Sequence, residues 1–444
     1  MFVRRSDKPV PSLGDDEGME CLRRFDPKMA QLLATEERRQ LESVNLIASE
    51  NYASPLALSL EGSIFANKNA EGYPGRRVVA GCDIADQVEQ LAVERLKILF
   101  RCEHANVQAM SATIANVALL NAVLEPGDTL MAMRLNDGGH LSHGAPFHDS
   151  GKRYQAVFYG VNRDTEQIDM DEVAELAAQS RPKLIVCGGS SYPRHIDYQA
   201  FAAIARANGA LLWADIAHTV GLIAGGVVPS PLPHADFVTS STHKTWRGPR
   251  GFGIILCRKA WADRIDRSIF PGIQGAPKLD MIAARAVFFK ETSTPLFRAY
   301  AAAVLDNAQV LAEAIANAGI RLVSGGTDTH LILIDVRDHL EDGAHAEKLL
   351  ASVGIMSNRN PIPFDQAPSM TGSGLRLGSP AMTTRGLDGK GFSAVGRLIG
   401  QLFNAPDDRA AHDAVRLEIN RLVSKLPLFS PNWLPLVSSS DQSS

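Results

Sequence analysis

The chain has 444 residues, 45% of them hydrophobic and 21% charged, a globular composition long enough for two or three compact units around a large core. A formal net charge of −4 gives no electrostatic reason to expect nucleic acid or an anionic membrane as partner. Cys21, Cys82, Cys102, Cys187 and Cys257 are widely spaced, odd in number and without a C-x-x-C pair, and the histidines are scattered. A disulfide framework and a metal site are therefore both disfavoured, and a reducing, cytoplasmic compartment is expected.

Met1 to Glu20 carries Arg4 and Arg5 with no apolar stretch behind them, so it does not read as a signal peptide. Pro9 to Gly18 is polar and turn-rich, and a loose lead-in is expected over the first twenty residues. Asp26 to about Asn67 reads as a helix followed by an extended arm. Between Ile84 and Phe100, Ile84, Val88, Leu91, Ala92 and Leu99 recur near the helical period. Thr113 to Leu124 is apolar nearly all round, which predicts a buried helix stopped by Pro126-Gly127-Asp128.

Short apolar runs then alternate with helices. Leu184 to Val186, Ala210 to Ala214, Phe237 to Thr239 and Gly253 to Leu256 read as strands, and Tyr198 to Asn208 as a helix. The alternation predicts an α/β fold with a central, mostly parallel sheet covered on both faces. Near Pro295 a second unit begins, with an amphipathic helix through Val304, Ala308, Leu311 and Ile315, then strands at Leu322-Val323 and Leu331 to Asp335. The expected division is residues 1–66 for lead-in, helix and arm, 67–294 for the large domain and 295–434 for a smaller C-terminal α+β domain. A disordered, serine-rich tail is expected over 435–444.

Ligands of such sheets sit at the carboxyl ends of strands, where Ser190, Asp215 and Lys244 fall. The strongest signal is Thr239 to Gly251, in which Lys244 follows a strand among hydroxyls, His243, Arg247 and Arg250. Neighbouring cations and burial lower a lysine's pKa, which an imine-forming amine requires, whereas a lone lysine there would read as a solvated basic turn. Asp215 closes a strand 29 residues before Lys244, placed to keep the ring nitrogen of pyridoxal phosphate protonated. Ser111-Ala112-Thr113 opens the buried helix, as a phosphate site or as an ordinary N-cap. His140 and His143 lie in a glycine-rich stretch, and one of them is suited to lie flat on a cofactor ring. Arg376 sits inside an apolar strand, where a guanidinium needs an anion such as a substrate carboxylate.

Five segments together resemble the serine hydroxymethyltransferase family: Asn45-Leu-Ile-Ala-Ser-Glu-Asn-Tyr52, Ala70-Glu-Gly-Tyr-Pro-Gly75, Gly138-Gly-His-Leu-Ser-His-Gly144, Thr242-His-Lys-Thr245 and Phe270-Pro-Gly-Ile-Gln-Gly275. The resemblance runs in order from about Asp26 to Leu428. It implies a fold-type I, aspartate aminotransferase-like enzyme, a homodimer or dimer of dimers with shared active sites, acting on a small amino acid. By matched position Lys244 carries the cofactor, Asp215 pairs with its ring nitrogen, His140 stacks on the ring, and His218 and Ser190 contact its hydroxyl side. Ser111, Ala112 and Thr113 form the phosphate cup, with His243 and Arg250 nearby and Gly275 supplied by the neighbouring subunit. Ser49 and Arg376 hold the substrate carboxylate, Glu71 is the acid/base group, and Leu135, Gly139 and Asn360 fall where the family holds tetrahydrofolate.

The departures from the family pattern cluster around that pocket. Asn69, Val78 and Val79 stand where tyrosines are expected, Ala109-Met-Ser-Ala-Thr-Ile114 replaces the usual phosphate segment, and Pro368-Ser-Met370 replaces Ser-Pro-Phe. Lost tyrosines open space beside Cα and remove proton-relaying hydroxyls. Three outcomes stay open on this reading: serine as substrate, an α-substituted serine such as α-methylserine, or a folate-independent aldolase or transaldolase. A pyridoxal phosphate-binding protein with little turnover is the alternative of a different class.

Overall fold

The structure, a computed structural model, describes residues 16–368 and 370–434; the expected tail at 435–444, most of the lead-in, and Ser369 lie outside the described residues. A helix, Asp16–Phe25, already occupies the end of the expected lead-in, with Glu20 and Arg24 paired one turn apart at 2.9 Å. Asp26 caps the next helix, Pro27–Leu41, through Met29 N. The arm that follows is not uniformly extended. Ser54 accepts from Ala57 N and Pro55 occupies the first turn, so Ser-Pro starts a helix, Pro55–Glu61, inside it.

Seven strands form the main sheet: β1 (His104–Asn106), β2 (Thr129–Met133), β3 (Gln155–Tyr159), β4 (Leu184–Cys187), β5 (Leu211–Asp215), β6 (Phe237–Ser241) and β7 (Gly253–Cys257). Their order is β1-β7-β6-β5-β4-β2-β3, parallel from β3 to β6, with β7 antiparallel to both its neighbours. This is the α/β architecture expected from the alternation. Strand periodicity of two then sorts side chains onto opposite faces. Met131, Met133, Ile185, Leu212, Ala214, Ile254 and Leu256 enter one core, while Leu130, Ala132, Val186, Trp213 and Ile255 enter another beside the helix Ala112–Val123.

A smaller antiparallel sheet is built from β8 (Arg321–Leu322), β9 (Leu331–Asp335), β10 (Asn358–Asn360) and β11 (Gly374–Gly378), in the order β8-β9-β11-β10. Its core contains Ile332, Ile334, Leu375, Leu377 and residues of the helices Gly343–Ser352, Gly389–Asn404 and Arg409–Val423. The helix Pro295–Asn317 joins the two units. Phe297, Tyr300, Ala301 and Val304 belong to the first core, and Leu311, Ala312 and Ile315 to the second. The arm also reaches the second unit, since Val44 and Asn45 pair in parallel with Ile355 and Met356. No described helix is long and apolar enough to cross a membrane.

One close approach fixes the loop after β6. Gly221 N donates to Thr245 Oγ1 at 3.0 Å, and a Cβ on Gly221 would lie 2.2 Å from the Thr245 carbonyl oxygen. Overpacking of this kind costs about 1–3 kcal/mol. Gly221→Ala is therefore expected to lower the denaturation midpoint of the cofactor-free protein, and an unchanged midpoint would show that the loop yields.

Candidate active site

Asp215 is the last residue of β5 and is almost wholly buried. Its Oδ2 accepts from Asn116 Nδ2 at 2.8 Å and faces His143 Nε2 at 3.0 Å, while Oδ1 accepts from Ala217 N at 3.0 Å. Burial alone would raise its pKa, but the His143 imidazole and the Ala217 amide outweigh it and hold Asp215 below the usual carboxylate range. The site thus contains a fixed, ionised carboxylate.

Two pairs of histidines lie around that charge. Ser142 N donates to His140 Nδ1 at 3.2 Å, so this nitrogen is an acceptor; Ser142 Oγ, 2.7 Å from it, accepts in turn from Asn116. Burial, aided by nearby His143, pushes the His140 pKa down to about 3, which keeps the ring neutral with its proton on Nε2. His218 Nδ1 lies 3.3 Å from His330 Nε2, and the rings stack with centroids 5.4 Å apart. Burial, then Lys244 and Arg376, holds His218 well below its ordinary value; burial, then Arg376 and Lys244, pushes His330 down to about 3.

Lys244 follows β6 by three residues and makes no ion pair with any described residue. Burial, assisted by Arg376 and Arg250 and opposed by Asp215, pushes its pKa down to about 8. Its carbonyl oxygen accepts from Asn51 Nδ2 at 2.7 Å, and Thr384 Oγ1 donates to Asn51 Oδ1 at 2.6 Å. Asn51 of the arm and Thr384 are thereby tied to the backbone of Lys244. Arg376, on β11, donates from Nε to Asn358 Oδ1 at 3.1 Å and from Nη1 to the Ser190 carbonyl at 2.6 Å. Both partners are neutral, and burial pushes this guanidinium down to about 10. Among the described residues no carboxylate meets it.

Ser111 caps the helix Ala112–Val123 by accepting from Ile114 N at 3.0 Å, with Ala112 and Thr113 in the first turn. The ordinary N-cap is thus formed, and the helix end presents its amides alongside it. His243 is pushed down to about 3 by burial, then by Lys244 and Arg250, and its buried Nδ1 has no partner among the described residues. A fixed carboxylate, a helix N-terminus and an unpartnered imidazole nitrogen beside a low-pKa lysine fit pyridoxal phosphate: Lys244 would hold its carbonyl carbon and Asp215 its ring nitrogen.

The remaining candidates fall into separate groups. Leu135 and Gly139 share the turn after β2, where Gly138 O accepts from Ser190 N, and Asn360 lies on β10 beside the strand of Arg376. No hydrogen bond joins Ser49 to Arg376. Glu71 neighbours Gly275, because a side-chain carbon on Gly275 would lie 3.6 Å from Glu71 Oε1. Asn116, His330, Asn51 and Asn358 were not singled out in the sequence. Asn116 had a visible signal, a polar residue in an otherwise apolar buried helix; the others had only their type.

A family model described as serine hydroxymethyltransferase matches residues 22–399. A protein of Myxococcus xanthus (strain DK1622) named serine hydroxymethyltransferase is 48% identical over 414 residues, covering 93% of this chain and 99% of that protein. One of Coprothermobacter proteolyticus (strain ATCC 35245 / DSM 5265 / OCM 4 / BT) with the same name is 50% identical over 401 residues, covering 90% and 95%.

The lysine makes a pH prediction for the cofactor-free protein. Its folded pKa, about 8, lies below its ordinary value of 10.5, so the unfolded chain binds more protons between those limits. The stability of the native sequence relative to Lys244→Met should rise with pH across that window. Parallel midpoint-against-pH curves for the two proteins would contradict the shift.

Proposed function

The chain belongs to the serine hydroxymethyltransferase family, and from that premise we propose that it carries pyridoxal phosphate on Lys244 and passes the hydroxymethyl carbon of serine or an α-substituted serine to tetrahydrofolate. The family is built on fold-type I of the pyridoxal phosphate enzymes, and its members are transferases of one-carbon metabolism. The observation that carries the substrate reading is Arg376, a half-buried cation whose partners among the described residues are all neutral. A cation left in that state is costly, and a bidentate amino acid carboxylate would relieve it. Bound cofactor supplies an electron sink for the charge left at Cα when the Cα–Cβ bond breaks.

Around it the chain's own groups have distinct tasks. Asp215 holds a proton on the ring nitrogen, His140 presents a neutral face, and His218 and Ser190 lie toward the ring hydroxyl. Ser111, Ala112, Thr113, His243 and Arg250 serve the phosphate. Ser49 assists Arg376, Glu71 exchanges the proton at the hydroxymethyl oxygen, and Leu135, Gly139 and Asn360 border the folate. The working form is a cytoplasmic homodimer or dimer of dimers. Residues 67–294 form the cofactor domain, and 295–434 the smaller domain that carries Arg376.

The identity of the group on Cα rests on Asn69, Val78 and Val79. Val78 is 65% exposed in the single chain, and Val79 packs against Ala70, Cys82, Ala85 and Leu279, so neither offers a hydroxyl to the pocket. The room left by absent phenol rings favours a substituent such as the methyl of α-methylserine. Holoenzyme incubated with serine, α-methylserine and threonine, with and without tetrahydrofolate, tests this directly. Alanine released from α-methylserine only with folate is expected, and Val79→Tyr should suppress it relative to glycine from serine. Folate-independent release of glycine from threonine as the main reaction would replace transfer by an aldolase.

Glu71 and Gly275 are neighbours in one chain, and because the family resemblance gives Gly275 to the pocket of the neighbouring subunit, we assign Glu71 to that pocket as well. Mixing Lys244→Ala with the strongly slowed Glu71→Gln should then raise activity to roughly a quarter of native, because half of randomly paired dimers hold one intact site. No recovery after subunit exchange would place Glu71 in the pocket of its own chain.

A further inference from the structure

The Glu71 carboxylate makes no hydrogen bond or ion pair with any described residue, so the hydrogen bonds that fix the place of Glu71 are those of its backbone. That backbone is gripped on every side. Glu71 N donates to Asn69 Oδ1 at 3.1 Å, and Glu71 O accepts from Val78 N at 2.9 Å. The carbonyls immediately before and after it, Ala70 O and Gly72 O, both accept from one nitrogen, Arg77 Nη1, each at 2.7 Å.

The Arg77 side chain is 4% exposed and is held at its other two nitrogens. Nε donates to Asp86 Oδ1 at 2.8 Å and Nη2 to Glu89 Oε2 at 2.7 Å, and both carboxylates lie on the helix Asp83–Phe100. Asp86 Oδ2 also accepts from Gly75 N at 2.8 Å, which closes the turn between Gly72–Tyr73 and Arg76–Arg77. Gln108 Nε2 reaches the same Gly72 carbonyl at 2.9 Å and Glu89 Oε1 at 2.7 Å. The carbonyl of Gln108 accepts from Gln274 Nε2 at 2.7 Å, one residue before Gly275. A single buried guanidinium therefore fixes the carbonyls of the residues on both sides of Glu71 to a long helix, and the same network reaches the neighbouring Gly275 loop.

We infer that Arg77 is a positioning residue for Glu71, aiming its free carboxylate through the two flanking carbonyls; this rests on the acid/base reading of Glu71 given above. Lysine cannot replace it. An ammonium has three donors on one nitrogen and cannot reach Asp86, Glu89 and both carbonyls from the planar fork that arginine supplies.

The test combines hydrogen exchange with a double-mutant cycle in the holoenzyme. In Arg77→Lys the amides of residues 70–78 should exchange faster than in the native protein while the exchange of β4 to β6 is unchanged. Single-turnover rates with serine should fall by roughly tenfold to a hundredfold, with KM for serine nearly unchanged. In a Glu71→Gln background the same substitution should have little further effect on the rate. Gln108→Leu, which removes the second grip on Gly72 O, should act in the same direction and more weakly, and it serves where Arg77→Lys folds poorly. Unaltered exchange at 70–78, or full additivity of Arg77→Lys with Glu71→Gln, would overturn the inference. Native activity in Glu71→Gln alone would instead remove the acid/base reading, and exchange would then judge the grip separately.

Discussion

Asp215 is an ionised carboxylate held in the interior at the end of the central strand, and the other charges of the site are arranged around it. Taking such a group out of water costs several kcal/mol unless hydrogen bonds replace the solvent. Three donors from three different segments do so: Asn116 from the buried helix, His143 from the glycine-rich turn and Ala217 from the loop following β5. Asn116 also bonds Ser142, which engages Nδ1 of His140. One asparagine thus couples the carboxylate to the ring expected to face the cofactor. Removing the side chain would leave three buried donors without this acceptor, which makes the carboxylate a fixed feature of the fold and not an adjustable one.

The opposite charge is handled by dilution. Lys244 and Arg376 both lie near this centre, and neither forms an ion pair with a described residue. The four imidazoles around them, His140, His218, His243 and His330, are all held neutral by burial. Neutral rings line the pocket without adding positive charge to it, so the two cations remain available to ligands. Lys244, with its lowered pKa, and Arg376, which meets no carboxylate among the described residues, thus keep their positive charge free for an anionic ligand.

Much of this was legible in the sequence, and for identifiable reasons. A polar residue at the end of an apolar run, as at Asp215, and an arginine inside one, as at Arg376, contradict their surroundings, and the contradiction marks them. The alternation of runs with amphipathic helices revealed the sheet, because strands covered on both faces leave no polar side. What could not be read is who meets whom across the chain. Arg376 reaches the carbonyl of Ser190, 186 residues away, and Asn51 reaches that of Lys244, 193 residues away. Backbone carbonyls carry no sequence signature, so such contacts are invisible until the fold brings them together. The arm is only partly legible for a local reason: a seven-residue helix is too short to show periodicity, although Ser54-Pro55 marks its start.

The segment from Asn69 to Cys82 shows how altered and unaltered residues divide the work. The tyrosine positions have become Asn69, Val78 and Val79, yet the backbone that carries Glu71 is bound at nearly every polar group. Asn69 itself contributes, since its side chain takes the Glu71 amide, a short-range turn bond to which asparagine is well suited. Val78 keeps its part through its amide alone, which any residue other than proline would supply. The valines thus leave the grip untouched and Asn69 joins it, while loss of Arg77 would leave the carboxylates of Asp86 and Glu89 without their guanidinium partner. The side chains that shape this segment can therefore change while the backbone that carries Glu71 stays fixed, because its hold runs through carbonyls and amides that every such replacement keeps.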